Sequence, residues 1–134
     1  MSLLVDTSVW SLAVRRGSPV TLPEVAALTE ALSGADIVVT TGIVVQELLQ
    51  GLRPSAGRAQ LTERLLSLPV VAPSTETHVA AADLRNTCRS RGVQLGTVDA
   101  LIAALSIEHD LTLLTTDQDF AHAARHVPLR MWRR

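Results

Sequence analysis

Four carboxylates that lie far apart in the sequence each adjoin a short apolar run. Asp6 ends Ser-Leu-Leu-Val, Glu47 follows Ile-Val-Val-Gln, and Asp99 opens Ala-Leu-Ile-Ala-Ala-Leu. The fourth, Asp117, follows Leu-Thr-Leu-Leu-Thr-Thr. Burying an unpaired carboxylate costs roughly several kcal/mol, so acids this close to core-forming segments need basic partners or a bound cation. The pattern therefore suggests one shared metal site.

Oxygen ligands without a partnering cysteine or histidine suit Mg²⁺, with Mn²⁺ as a possible substitute, better than zinc. Because like charges crowd at such a site, we expect the pKa of at least one of the four carboxyl groups to be raised. Ser8 and Thr115 carry hydroxyls beside the acids and could position a ligand, although Thr7 or Ser8 could equally cap the first helix. Asp119 could help hold a second metal or face solvent, and we favour solvent.

The elements that must position these residues follow from the apolar runs. Those runs predict five strands, at 3–5, 37–40, 70–72, 112–115 and 129–132. Helices fill the intervals, and Thr21, Ser55 and Thr97 are expected to cap three of them. The alternation indicates the α/β class, with a central, mostly parallel sheet of about five strands flanked by helices on both faces. Ligands bind such sheets beyond the carboxyl ends of the strands, where all four acids can converge.

Length and composition predict one globular domain over residues 1–134, because the chain has 134 residues and 47% hydrophobic content. No apolar stretch reaches the roughly 18 residues of a membrane span, and no basic region precedes a long apolar run at the N-terminus. We therefore expect neither membrane insertion nor export. Cys88 is the only cysteine, which favours a reducing, cytoplasmic setting.

Lysine is absent, because all 12 basic residues are arginine. This excludes a P-loop lysine and a Schiff-base lysine. A phosphatase of haloacid-dehalogenase type also places an Asp after its first strand. It needs a second Asp two residues later, where this chain has Ser8, and it commonly uses a lysine, so this class is disfavoured.

Four segments carry a resemblance to a known family: Val-Asp-Thr-Ser-Val-Trp at 5–10, Glu-Leu-Leu-Gln-Gly at 47–51, Val-Asp-Ala-Leu-Ile-Ala-Ala at 98–104 and Leu-Thr-Thr-Asp-Gln-Asp-Phe at 114–120. In this order they resemble the four acidic motifs of the PIN-domain ribonucleases. Within that family the chain is most similar to VapC-type toxins of bacterial type II toxin–antitoxin pairs. The resemblance covers the whole chain, with no departure at an acidic position.

The resemblance implies a Mg²⁺-dependent endoribonuclease that acts as a toxin, is inhibited by a cognate antitoxin and forms a homodimer. It implies that Asp6 and Asp99 bind the metal directly and that Asp117 binds it directly or through water. Glu47 would orient or deprotonate the attacking water. Two alternatives stay open: a housekeeping PIN nuclease that processes RNA without a toxin role, and a non-catalytic module whose acidic pocket docks a partner.

The substrate would be RNA, whether tRNA, rRNA or mRNA. Aromatic residues make up only 2% of the chain, so the protein has no platform on which RNA bases could stack. Selection of RNA would then depend on shape and on phosphate contacts. Arg85 and Arg89 are the first candidates for such contacts, because a spacing of four residues places them on one helix face.

Overall fold

The computed structural model describes residues 1–15 and 22–134. The strands within them are β1 (Ser2–Val5), β2 (Ile37–Val39), β3 (Thr112–Leu114) and β4 (Arg130–Met131). The helices are α1 (Thr7–Val14), α2 (Pro23–Ser33), α3 (Gly42–Gln50), α4 (Ala56–Leu66), α5 (Thr75–Ser90), α6 (Thr97–Glu108) and α7 (Gln118–Ala123). None of these helices is long and apolar enough to cross a bilayer.

The four strands form one sheet in the order β2-β1-β3-β4, and every pairing in it is parallel. Leu4 of β1 pairs with Val39 on one side and with Leu113 on the other. After β1 the chain forms β2 on one side of it, and later forms β3 on its other side. The carboxyl ends of β1 and β3 therefore flank a topological switch point, where ligands bind in open parallel sheets. The predicted α/β class and parallel sheet are confirmed.

Both faces of the sheet are covered by helices. Successive residues of a strand point to opposite faces, and Leu3, Leu4 and Val5 are all at most 1% exposed. Leu113 and Leu114 of β3 are likewise fully buried. Such continuous apolar runs are typical of a parallel strand that lies in the interior of the fold.

The prediction of a fifth strand at 70–72 is wrong. Val70 makes only an isolated parallel bridge to Thr40, supported by hydrogen bonds of the Val71 N–H to the Thr40 carbonyl and of the Thr40 N–H to the Pro69 carbonyl. Pro69 and Pro73 flank the segment and carry no N–H to extend the ladder. Within residues 1–15 and 22–134 the sheet therefore has four strands, and this bridge lies beyond the end of β2.

Of the three residues predicted to cap helices, the structure confirms one, Ser55. Ser55 caps α4, because its hydroxyl accepts the Arg58 N–H at 3.1 Å. Thr97 is the first residue of α6, whose N-cap is Gly96, so the prediction that Thr97 is the cap is wrong. Thr21 lies outside the described residues, and the N-cap position of α2 is Leu22.

Helix α6 lies in the centre of the fold. Six of its residues are buried, among them Ile102, Ala103 and Leu105, each 0% exposed. A helix that is buried on several sides has a fixed position, because its core contacts leave no space for it to shift. This fixes the direction of its first turn, which carries Asp99.

Candidate functional site

Asp6 lies directly after β1 and is only 6% exposed. Its backbone N–H donates to the Leu114 carbonyl at 2.9 Å, which links the ends of β1 and β3. The hydroxyls of Ser8 and Thr115 donate to Asp6 Oδ2 at 2.9 and 2.8 Å. Among the described residues no donor reaches Oδ1. One carboxylate oxygen is therefore held by the protein, and the other is left for a ligand.

The same two hydroxyls also fix the loop that follows β3. Ser8 Oγ accepts the Thr116 N–H at 3.2 Å, and Thr115 Oγ1 accepts the Asp117 N–H at 3.0 Å. The two hydroxyl oxygens are 3.3 Å apart. Asp6 and the backbone at Asp117 thus belong to one hydrogen-bond network, although they are far apart in sequence.

Glu47 is half-buried on α3, the helix that follows β2. The hydroxyl of Thr7, the residue after Asp6, donates to Glu47 Oε1 at 3.1 Å. This contact holds the Glu47 carboxylate beside the end of β1. Capping of α1, the alternative use left open for Thr7 or Ser8, does not occur, because Asp6 is the N-cap residue and both hydroxyls donate to acids instead. Sequence reasoning thus missed the contact of Thr7 with Glu47.

The surroundings of Asp99 oppose its ionisation. The pKa of Asp99 is raised from 3.8 to about 6, first by burial and then by the negative charges of four other acids, Asp6, Asp117, Glu47 and Asp119. The pKa of one carboxyl group is raised, as predicted, but burial is the larger cause and the like-charge crowding that the prediction invoked is the smaller one. The other four acids are therefore close enough to Asp99 for their charges to act on it.

Asp117 is the N-cap residue of α7, and its side-chain Oδ1 accepts the Asp119 N–H at 2.9 Å. This bond leaves Oδ2 of Asp117 without a protein donor among the residues that the structure describes. Asp119 is exposed, yet its charge contributes to the raised pKa of Asp99. Its carboxylate thus belongs to the electrostatic environment of the site while it faces solvent.

The donor set fits a hard divalent cation. Within residues 1–15 and 22–134, no ion pair joins an arginine or histidine to these five acids. In the same ranges, no three acidic, histidine or cysteine side chains stand close enough to form a ready-made metal cage. Carboxylate oxygens of this kind are ligands that hard divalent cations take directly or through their bound waters.

Arg85 and Arg89, the predicted RNA contacts, lie on α5. Arg85 is half-buried, and its Nε donates to the Leu95 carbonyl at 2.8 Å. Arg89 is exposed, and its Nη2 donates to Asn86 Oδ1 at 2.9 Å. In the part of the chain that the structure describes, neither guanidinium contacts the five acids. A role of these arginines in RNA binding stays a prediction.

The chain belongs to the PIN domain family, which matches residues 3–126. Its fold is similar to that of FitAcB from Neisseria gonorrhoeae, with 24% identity, a TM-score of 0.73, and coverage of 98% of this chain and 96% of that one. It is also similar to VapBC2 from Rickettsia felis bound to a DNA fragment from its promoter, with 22% identity, a TM-score of 0.75, and coverage of 98% of both chains.

A third similar structure is VapC20 from Mycobacterium tuberculosis, described as a sarcin-ricin loop cleaving toxin. It has 21% identity and a TM-score of 0.69, and the alignment covers 96% of this chain and 98% of that one. At these identities the likeness shows a shared fold. No curated protein sequence matches the chain.

Proposed function

We propose that the chain, over residues 1–134, is a single nuclease domain that hydrolyses RNA phosphodiester bonds with Mg²⁺. The observation that carries this proposal is the group of five acids around the ends of β1 and β3, where the pKa of Asp99 is raised to about 6. Because no described basic side chain neutralises these acids, a divalent cation is the partner that best offsets their charge.

The four buried or half-buried acids have different proposed roles, as ligands of the cation or in orienting the attacking water. Asp6 offers Oδ1, because Ser8 and Thr115 occupy Oδ2. Asp99 would bind the same cation, and Asp117 would bind it directly or through water. Glu47 would orient or deprotonate the attacking water, with its carboxylate aimed by Thr7. Mn²⁺ is a possible substitute for Mg²⁺, since it accepts the same oxygen donors.

A divalent cation at such a site supplies a lowered pKa for a bound water and neutralises charge that builds on the phosphate oxygens. The protein's own residues position the reactants. Ser8 and Thr115 keep Asp6 in one rotamer, and the buried body of α6 fixes the direction of Asp99. Preorganisation of this kind avoids the cost of reorienting charged groups during the reaction.

We further propose that the nuclease acts in the cytoplasm as the toxin of a toxin–antitoxin pair, is a homodimer and is inhibited by a cognate antitoxin. The similar structures include complexes of toxin–antitoxin systems, which support this role. VapC20, the sarcin-ricin loop cleaving toxin, supports structured RNA as the class of substrate. These relatives favour the toxin over a housekeeping RNA-processing enzyme of the same family.

The first test is cleavage of RNA by the purified protein. Mg²⁺ should support cleavage, EDTA should stop it, and Asp6→Ala should lower the rate by at least about 100-fold, because a ligand of the cation is lost. Asp83→Ala, at an exposed acid on α5, is the matched control and should cleave normally. Cleavage that survives both EDTA and Asp6→Ala would reject the mechanism.

The second test is induction of the protein in growing cells, followed by mapping of new RNA 5′ ends across the transcriptome. Wild-type protein should arrest growth and produce a small set of cuts that are absent with Asp6→Ala. Co-expression of the protein encoded by a short adjacent reading frame should restore growth. Cuts without growth arrest would instead favour the RNA-processing alternative.

A further inference from the structure

A groove of about 660 Å³ opens beside Glu47, between α1, α3 and α4. Three arginines line it: Arg15 after α1, Arg53 in the loop after α3, and Arg58 in the first turns of α4. Its apolar wall includes Leu48. Because Glu47 belongs both to the lining and to the acidic site, the groove adjoins that site.

The arginines make this groove locally basic. Arg15 and Arg53 are exposed and Arg58 is half-buried. Within the described residues, none of the three forms an ion pair, and Glu47 is the one acid in the lining. The whole chain has a net charge of −1, so its overall charge does not attract a polyanion. The local charge of the groove therefore has to supply that attraction.

Two of the arginines are constrained by their surroundings. Arg53 precedes Pro54, which restricts its backbone to extended conformations. Arg58 donates Nε to the Leu49 carbonyl at 3.4 Å, which orients the guanidinium and leaves its other N–H groups for a ligand. Planar guanidinium groups with free N–H donors match the oxygens of a phosphate.

We propose that this groove binds the backbone of a single RNA strand next to the cleaved bond, through Arg15, Arg53 and Arg58. The inference rests on the proposed nuclease function. The volume lies in the range of about 300–1,000 Å³ that encloses drug-sized ligands, which suits a nucleotide-sized segment of a strand. No aromatic side chain lines the groove among the described residues, so its contacts hold phosphates and do not read bases.

The test is binding of a fluorescent 12-nucleotide oligouridine, and of an oligoadenosine of equal length, at several salt concentrations. Asp99→Asn serves as the background, so that the RNA is not cleaved. Arg53→Ala and Arg58→Ala should each weaken binding of both oligonucleotides by about 3- to 10-fold. The slope of log K against log salt should fall by about 0.7 for each phosphate contact that is lost.

Arg64→Ala is the matched control, because Arg64 lies on the last turn of the same helix and is exposed outside the groove. It should leave both the affinity and the salt slope unchanged. Arg53→Lys should retain the salt slope, because it retains the positive charge. A loss of RNA affinity caused by altered packing would not be restored by the lysine. Thermal melting of each variant checks that it is folded.

Three results would overturn the inference. Unchanged RNA affinity in Arg53→Ala and Arg58→Ala, with normal RNA cleavage by the wild type, would reject the groove and leave the nuclease proposal standing. Losses of affinity that differ strongly between oligouridine and oligoadenosine would show that the groove reads bases. Weaker binding of the co-expressed antitoxin, with RNA binding intact, would assign the groove to a protein partner. Failure of wild-type protein to cleave any RNA would count against the proposed function itself.

Discussion

Asp99→Asn removes one negative charge from the acidic site and keeps the size of the side chain. In metal-free protein the pKa of Asp99 is raised from 3.8 to about 6, first by burial and then by the neighbouring acids. Because the folded-state pKa lies above the unfolded value, ionised Asp99 destabilises the folded state. That penalty is complete above pH 6 and disappears as the pH falls toward 3.8.

The size of the effect follows from the shift. A rise in pKa from 3.8 to about 6 corresponds to about 3 kcal/mol. Asp99 is half-buried, so solvent screening lowers the expected free energy to about 1–3 kcal/mol. Metal-free Asp99→Asn should therefore exceed wild type in unfolding free energy by about 1–3 kcal/mol at pH 7.5. At pH 4 the difference should nearly vanish, because the wild type then holds a proton on Asp99.

Urea denaturation of EDTA-treated protein at pH 7.5, 6 and 4 measures this difference, and carbon-detected NMR titration locates the pKa directly. Asp83→Asn, at an exposed carboxylate of α5, controls for the loss of one charge and should change little. Added Mg²⁺ should stabilise the wild type more than Asp99→Asn, since ligand binding to the folded state adds stability. If Asp99→Asn raises the unfolding free energy equally at pH 4 and 7.5, or if the titration finds no raised carboxyl pKa, the charge on Asp99 does not destabilise the fold.

Three further substitutions test separate parts of the structure. Thr115→Val removes the donor to Asp6 and the acceptor of the Asp117 N–H, so urea denaturation should show a loss of about 1–3 kcal/mol, which Thr115→Ser largely restores. Ser55→Ala removes the N-cap of α4 and should cost about 1 kcal/mol in thermal melts, whereas Ser55→Asp should keep the cap. Glu47→Gln should lower RNA cleavage by about 100-fold or more but retain most of the stabilisation by Mg²⁺, and loss of both would contradict its assignment to the water.

The strands of the central sheet were predictable because their signal is local. Residues 3–5 and 112–114 are uninterrupted apolar or β-branched runs, and the structure buries all of them on both faces of the sheet. An acid directly after such a run must lie at a strand end. The position of Asp6 therefore followed from the sequence, and the parallel order of the sheet placed it beside the end of β3.

The supporting contacts were not predictable from spacing, because their partners are distant in sequence. Thr7 donates to an acid 40 residues away, and Thr115 donates to one 109 residues away. A threonine or serine beside the start of a helix has the same local pattern whether it caps that helix or contacts another element. The prediction of a fifth strand was wrong because local propensity does not determine pairing. The β-branched residues at 70–71 favour a strand, but the neighbouring prolines limit their pairing to one bridge.

The site treats its two central carboxylates differently, and this difference bears on how a cation would be held. Asp6 is nearly buried but accepts two hydroxyl hydrogen bonds, which replace much of the water that it loses. Asp99 accepts no side-chain hydrogen bond from the described residues, and burial together with four neighbouring charges raises its pKa. In the proposed mechanism, a divalent cation would therefore relieve the penalty for ionising Asp99, while the two hydroxyl contacts fix the orientation of Asp6. In the proposed mechanism, protonation of Asp99 below pH 6 would therefore weaken cation binding, while the hydroxyls of Ser8 and Thr115 still hold Oδ2 of Asp6.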